Sequence, residues 1–117
     1  MWSYNPATSV LTCRYQAPDS AALDLPDNIT ARSNDGSVVI CEDGTGDNYI
    51  RRLSPDGHLL DVALNRLTRN APPFAPRFGE EFAGAVFSPD GGTLYVNTQA
   101  AQGITYAIWG PWDQLGV

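Results

Sequence analysis

The sequence predicts an all-β chain forming a partial β-propeller, roughly two and a half blades of antiparallel strands joined by tight turns. Three observations carry this. Apolar residues come in short strand-like runs, and no window sustains a helical apolar period, so long helices are not expected. Eleven glycines and nine prolines among 117 residues suit many tight turns. The tetrapeptide Ser-Pro-Asp-Gly occurs twice, at 54–57 and 88–91, 34 residues apart, each time between strand-like runs. Proline sets the first corner of such a hairpin, and Asp-Gly tolerates the positive φ that follows. Two like hairpins at that interval read as an internal repeat and therefore as consecutive blades.

Residues 1–16 read as two strands around the turn Asn5-Pro6-Ala7-Thr8. They are expected as the outer strands of one blade, and a chain that opens directly on a strand reads as cut from something longer. Residues 17–28 form a loop rich in Pro, Asp and Ala. The second blade spans 27–64. It has a short strand at 29–31, a turn at 33–36, a strong strand at 37–42 and a loop at 43–48. Strands at 49–53 and 58–64 then pair across the first SPDG turn. The stretch 65–79, with three prolines and three arginines, is expected to cross the surface to the next blade. The third, incomplete blade spans 81–112, with strands at 82–87, 93–98 and 104–109. Trp109, Pro111 and Trp112 are expected to pack its end. A closed propeller often completes its last blade with a strand from the other end of the chain, which accounts for a unit one strand short. The chain is thus expected to be a fragment of a single propeller domain, with open blade edges through which copies can associate.

Composition narrows the partners. A hydrophobic fraction of 43% marks a globular chain. Thirteen acids face seven arginines and no lysine, for a net charge of −6. Such a chain is a poor ligand for nucleic acid or an anionic membrane, so neither is expected as a partner. No apolar run reaches membrane-spanning length. There is no basic-then-apolar leader, so any export signal would precede Met1 or be absent. Cys13 and Cys41 lie in apolar, strand-like runs and read as small buried hydrophobes, with a disulfide or a metal thiolate as the alternatives.

Propeller ligands bind at the central channel, lined by the innermost strand of each blade and its loops. Asp27 and Asn28 directly precede one innermost strand, Glu42 and Asp43 end the strand beside it, and Glu80 and Glu81 precede the next innermost strand. Oxygen donors at neighbouring strand ends are what a hard cation such as Ca²⁺ requires. The alternative is that these acids serve turns and caps. Roughly six to eight oxygens are needed and no EF-hand-like loop supplies them, so the acids would have to converge from different blades. Other chemistry has little support. His58, the one histidine, follows a turn and reads as exposed. Without G-x-S-x-G a hydrolase triad has no basis. The loop 42–47 lacks the lysine and helix of a phosphate loop. Of Arg51 and Arg52, adjacent on a strand, at least one is expected to be merely solvated.

Five short motifs then occur in order. They are Pro26-Asp27-Asn28-Ile29, Cys41-Glu42-Asp43-Gly44, Glu81-Phe82-Ala83-Gly84, Phe87-Ser88-Pro89-Asp90-Gly91 and Ile108-Trp109-Gly110-Pro111-Trp112. Together they resemble the C-terminal part of the PhoX-type alkaline phosphatases and cover most of 24–112. The resemblance implies a six-bladed propeller, periplasmic or secreted, that hydrolyses phosphate monoesters with iron and calcium held mainly by carboxylates. Carried onto this sequence, it implies Asp27, Glu42, Asp43 and Glu81 as metal ligands and Asn28 as a supporting or ligating neighbour. Cys41 falls within the second motif, but strand alternation points it away from Glu42, so no iron-thiolate role is assigned to it. With only part of a metal cage, the chain alone is expected to show little or no phosphatase activity. Two other functions fit the same residues: a non-catalytic propeller piece binding a partner, and part of a calcium-dependent propeller lactonase.

Overall fold

The structure, a computed structural model, describes residues 1–68, 72 and 75–115. Among these the regular elements are nine strands and one short 3-10 helix, with the strands antiparallel in three separate sheets. A two-stranded hairpin comprises β1 (Trp2–Asn5) and β2 (Val10–Cys13). The four-stranded sheet contains β3 (Pro26–Ala31), β4 (Val38–Glu42), β5 (Tyr49–Leu53) and β6 (Leu59–Leu64). The three-stranded sheet contains β7 (Phe82–Phe87), β8 (Thr93–Thr98) and β9 (Thr105–Trp109), and the 3-10 turn Trp112–Gln114 follows it. Strand order follows chain order in every sheet. The result is an open, propeller-like all-β arrangement.

Alternation within the four-stranded sheet decides what lies where. Register pairs Val39 with Arg52 and Cys41 with Ile50, so these share one face, while Ile40 and Arg51 pair on the other. The first face packs against the three-stranded sheet. Val39, Cys41 and Ile50 meet Phe82, Leu94 and Val96 there, all buried. Edge-on aromatic pairs, Phe82 with Tyr106 at 6.3 Å between ring centres and Phe87 with Trp112 at 5.4 Å, close the sides of this core. The second face carries a smaller cluster, Leu23, Ile40 and Leu53, covered by Met1, Tyr15 and Leu59.

Polar contacts lock the two larger sheets at one end. Arg32 Nε donates to Gly91 O at 3.0 Å, and Asn34 Nδ2 donates to Asp90 O at 2.9 Å. The buried Arg32 guanidinium also joins Asp35 and Asp113, and the Trp112 indole N–H donates to Gly92 O at 2.8 Å. The second SPDG turn is therefore held by the turn between β3 and β4 of the neighbouring sheet.

Several expectations are corrected. Strand β3 begins at Pro26 instead of Ile29, because a bulge admits Asp27 without ending the pairing. The two SPDG hairpins occupy different places: the first is the outer hairpin of one sheet, β5–β6, and the second is the inner hairpin of the next, β7–β8. Neither Arg51 nor Arg52 is solvated. Both are buried, Arg51 against Glu42 and Asp61 and Arg52 against Asp35. Cys13 is exposed on the small hairpin, and only Cys41 is buried. Trp112 packs the end of the sheet as expected, whereas Trp109 and Pro111 are exposed. In the connecting stretch 65–79, a bridge pairs Thr68 with Pro76. Arg69 and Pro73 of that stretch lie outside the described residues.

Candidate functional site

Strands β3 and β7, the first of their sheets, lie side by side. Each is bulged near the junction. On β3 the register passes from Pro26↔Glu42 to Asn28↔Cys41, leaving Asp27 as the extra residue. On β7 it passes from Ala83↔Asn97 to Val86↔Tyr95, with Gly84 at φ 64°. That left-handed corner suits glycine, and a Cβ there would come within 3.0 Å of the Asn97 amide nitrogen. The β7 bulge frees the Ala85 N–H from the ladder, and it donates to Asn28 Oδ1 at 3.0 Å. Asn28, expected beside the metal ligands, thus ties the two strands together.

Three acids border this junction. Asp27 projects from the β3 bulge, Asp43 follows the end of β4, and Glu81 immediately precedes β7. Their backbones are anchored. The Asp43 N–H donates to Leu25 O, and Glu81 O accepts from the Gln99 N–H at 2.9 Å. Two buried asparagines do the rest. Asn48 closes the loop after Asp43, accepting from the Gly44 N–H at 2.7 Å and donating to Gly44 O and Gly79 O at 3.2 Å. Asn65 donates to Arg77 O at 3.0 Å and to Glu80 O at 2.6 Å, which holds the segment leading into Glu81. Neither asparagine was singled out from the sequence. The available signal was position alone, since each flanks a strand end, where an Asn side chain commonly bonds nearby backbone.

The electrostatics show that these acids feel one another. Glu81 is only 8% exposed, and its Oε2 is buried with no donor. Burial raises its carboxyl above the usual range, and the neighbouring carboxyls of Asp43 and Asp27 raise it further. Burial likewise pushes the Cys41 thiol up to about 11, with the charges of Asp27 and Glu81 adding to the shift and the Ala85 amide opposing it. The charges of Asp27 and Glu81 therefore reach Cys41, and those of Asp43 and Asp27 reach Glu81.

Glu42 lies on the opposite side of β4 from Cys41. It is 1% exposed and accepts hydrogen bonds from the Asp24 N–H at 2.9 Å, the Tyr49 N–H at 3.1 Å and Arg51 Nε at 3.1 Å. Arg51 in turn bonds Asp61 and stacks over the Tyr49 ring, 3.9 Å from its centre. The charges of Asp27 and Asp43 thus act on Glu81, while Glu42 is held in a buried ion pair with Arg51. Glu80 is paired with Arg77 at 2.8 Å, and His58 sits exposed at the outer hairpin turn beside Asp56.

A buried carboxylate oxygen without a donor, on which two further carboxylates act, is chemistry that a hard cation would relieve. Among the described residues, no group of three or more His, Cys, Asp or Glu side chains is placed to hold a metal ion. Comparison with known proteins adds one finding. The family model described as alkaline phosphatase PhoX matches residues 5–102. No curated protein and no solved structure matches the chain.

Proposed function

The chain belongs to the alkaline phosphatase PhoX family, and on that premise we propose that Asp27, Asp43 and Glu81 form part of a metal centre for hydrolysis of phosphate monoesters. The observation that carries this reading is the donor-less, buried Glu81 oxygen set among carboxylates. Oxygen donors of this kind suit calcium and iron, the ions that the family resemblance implies. A bound multivalent cation would supply charge neutralisation for the phosphoryl oxygens. The chain's own residues do the positioning. The bulge at Asp27 aims one carboxylate at the junction, Asn48 holds the Asp43 loop against the segment that leads into Glu81, and Asn28 ties β3 to β7. Glu42 serves this site indirectly, by neutralising Arg51 behind β4.

Three carboxylates fill a calcium ion's roughly six to eight positions only at the lower limit and only if all are bidentate, so turnover of phosphate esters requires ligands beyond these residues. The resemblance also supports a place outside the cytoplasm. Among the described residues, no helix is long and apolar enough to cross a membrane.

The test is a thermal melt of the chain with and without millimolar Ca²⁺, beside Glu81→Gln. An ion that binds only the folded state at a hundredfold excess over Kd stabilises it by about 2.7 kcal/mol. The expected outcome is a Ca²⁺-dependent rise in the wild-type chain and none in the variant. In metal-free buffer at neutral pH, Glu81→Gln should melt higher than wild type, by about 1 kcal/mol of stability, because an uncompensated buried charge is removed. Melts indifferent to Ca²⁺ in both chains would overturn the metal-centre reading.

A further inference from the structure

Two asparagines are almost wholly buried, Asn48 at 0% exposure and Asn65 at 2%. A buried amide is tolerated when its oxygen accepts and its nitrogen donates, and both side chains meet that demand on backbone alone. Each amide oxygen accepts a nearby N–H, from Gly44 for Asn48 and from Leu67 for Asn65. Each amide nitrogen reaches the segment 77–80: Asn48 donates to Gly79 O, and Asn65 to Arg77 O and Glu80 O. The Asn65 N–H donates to Asn48 O at 2.9 Å and joins the two. An unbroken hydrogen-bonded route therefore runs from Gly44, the residue after Asp43, through Asn48 and Asn65 to Glu80, the residue before Glu81.

The same two segments are also tied at the surface. Both terminal nitrogens of Arg66 donate to Asp47, each at 2.8 Å, and its guanidinium lies 4.8 Å from the centre of the Phe78 ring. These ties oppose a repulsion, because the charge of Asp43 acts on the buried Glu81. The residue type matters at both buried positions. An aspartate has no N–H to donate, and a serine has one donor where Asn65 serves two carbonyls.

We infer that Asn48 and Asn65 are positioning residues that lock the Asp43 loop and the approach to Glu81 into one unit, so that the two carboxylates keep a fixed spacing. The inference rests on the reading of these acids as part of a metal centre, and adds what sets their separation. Carboxylates already held in place bind a cation more tightly than carboxylates that must first be brought together. Loosening the segment that leads into Glu81 should therefore be felt at Asp43.

The test uses Asn65→Ala in the whole chain, since the Asn65 side chain bonds Leu67, Arg77 and Glu80 and acts on the Asp43 loop only through them and Asn48. Hydrogen exchange at the Gly44 amide should become about tenfold faster, the effect of losing roughly one buried hydrogen bond. The Ca²⁺ concentration that gives half the rise in Tm should also increase, again by about tenfold. Asn34→Ala removes a contact at the far end of the sheet junction, and should lower Tm while changing neither reading. If Asn65→Ala does not fold, Arg66→Ala at the exposed pair is read in the same way, with smaller changes in the same direction. Unchanged Gly44 exchange would overturn the coupling. Faster exchange with an unchanged Ca²⁺ midpoint would overturn the positioning role and leave the asparagines purely structural. A wild-type chain indifferent to Ca²⁺ would instead overturn the metal centre itself, and Gly44 exchange would still decide the coupling.

Discussion

At the residue scale, β4 separates two carboxylate environments that are adjacent in sequence. Glu42 and Asp43 are neighbours, yet Glu42 turns to Arg51 while the charge of Asp43 acts on Glu81. Their expected behaviour differs accordingly. Glu42→Gln leaves the buried Arg51 with Asp61 as its remaining carboxylate and should cost about 3 kcal/mol of stability, read from denaturant unfolding. If Glu42 acts only through Arg51, the variant's Ca²⁺-dependent rise in Tm should persist below the lowered baseline. Loss of that rise with the fold intact would return Glu42 to the metal. Sequence spacing marked all four acids, but it could not separate these two, because the side on which a bulged partner strand presents its carboxylate depends on register.

At the element scale, the two bulges aim the site. Asp27 and Ala85 both leave the regular ladder, and their strands are joined by the Ala85–Asn28 hydrogen bond. Gly84 makes the second bulge possible. Gly84→Ala places a Cβ on a left-handed residue, 3.0 Å from the Asn97 amide nitrogen. It should cost roughly 1–2 kcal/mol, measured as a lower unfolding midpoint. An unchanged midpoint would mean that the strand can straighten without Asn28. The strands themselves were legible from alternation and turn residues to within a residue or two, apart from the start of β3. Pro26 and Asp27 look like loop, and only the pairing of Pro26 with Glu42 and of Asn28 with Cys41, on either side of Asp27, makes them strand.

At the scale of the whole molecule, the junction between the two larger sheets should be sensitive to acid. Burial alone would raise the Asp35 carboxyl, but hydrogen bonds from Ser37, Arg32 and Arg52 outweigh it and hold the group well below the usual carboxylate range. A carboxylate depressed in the folded state stabilises above its unfolded pKa, about 3.9 for Asp, and that contribution is lost as pH falls further. The chain should therefore lose stability steeply below about pH 4. Asp35→Asn should be less stable at neutral pH and show a shallower fall in Tm on acidification. An equally steep fall in the variant would assign acid sensitivity to other groups. Arg32 also reaches Gly91 and Asp113, so the loosening should spread to the second SPDG turn.

The sequence by itself determined the all-β class, the strands, the turns and the family, because these depend on local periodicity, turn chemistry and short motifs in order. It also picked out the acids at the strand ends. Tertiary structure alone decided which of those acids is held in a buried ion pair, that both arginines of β5 are buried, and that one tryptophan is covered while another is left open. The physical reason is the same in each case. A side chain's face on a strand follows from pairing register, a single extra residue in a bulge reverses it, and register is settled only when sheets pack against one another.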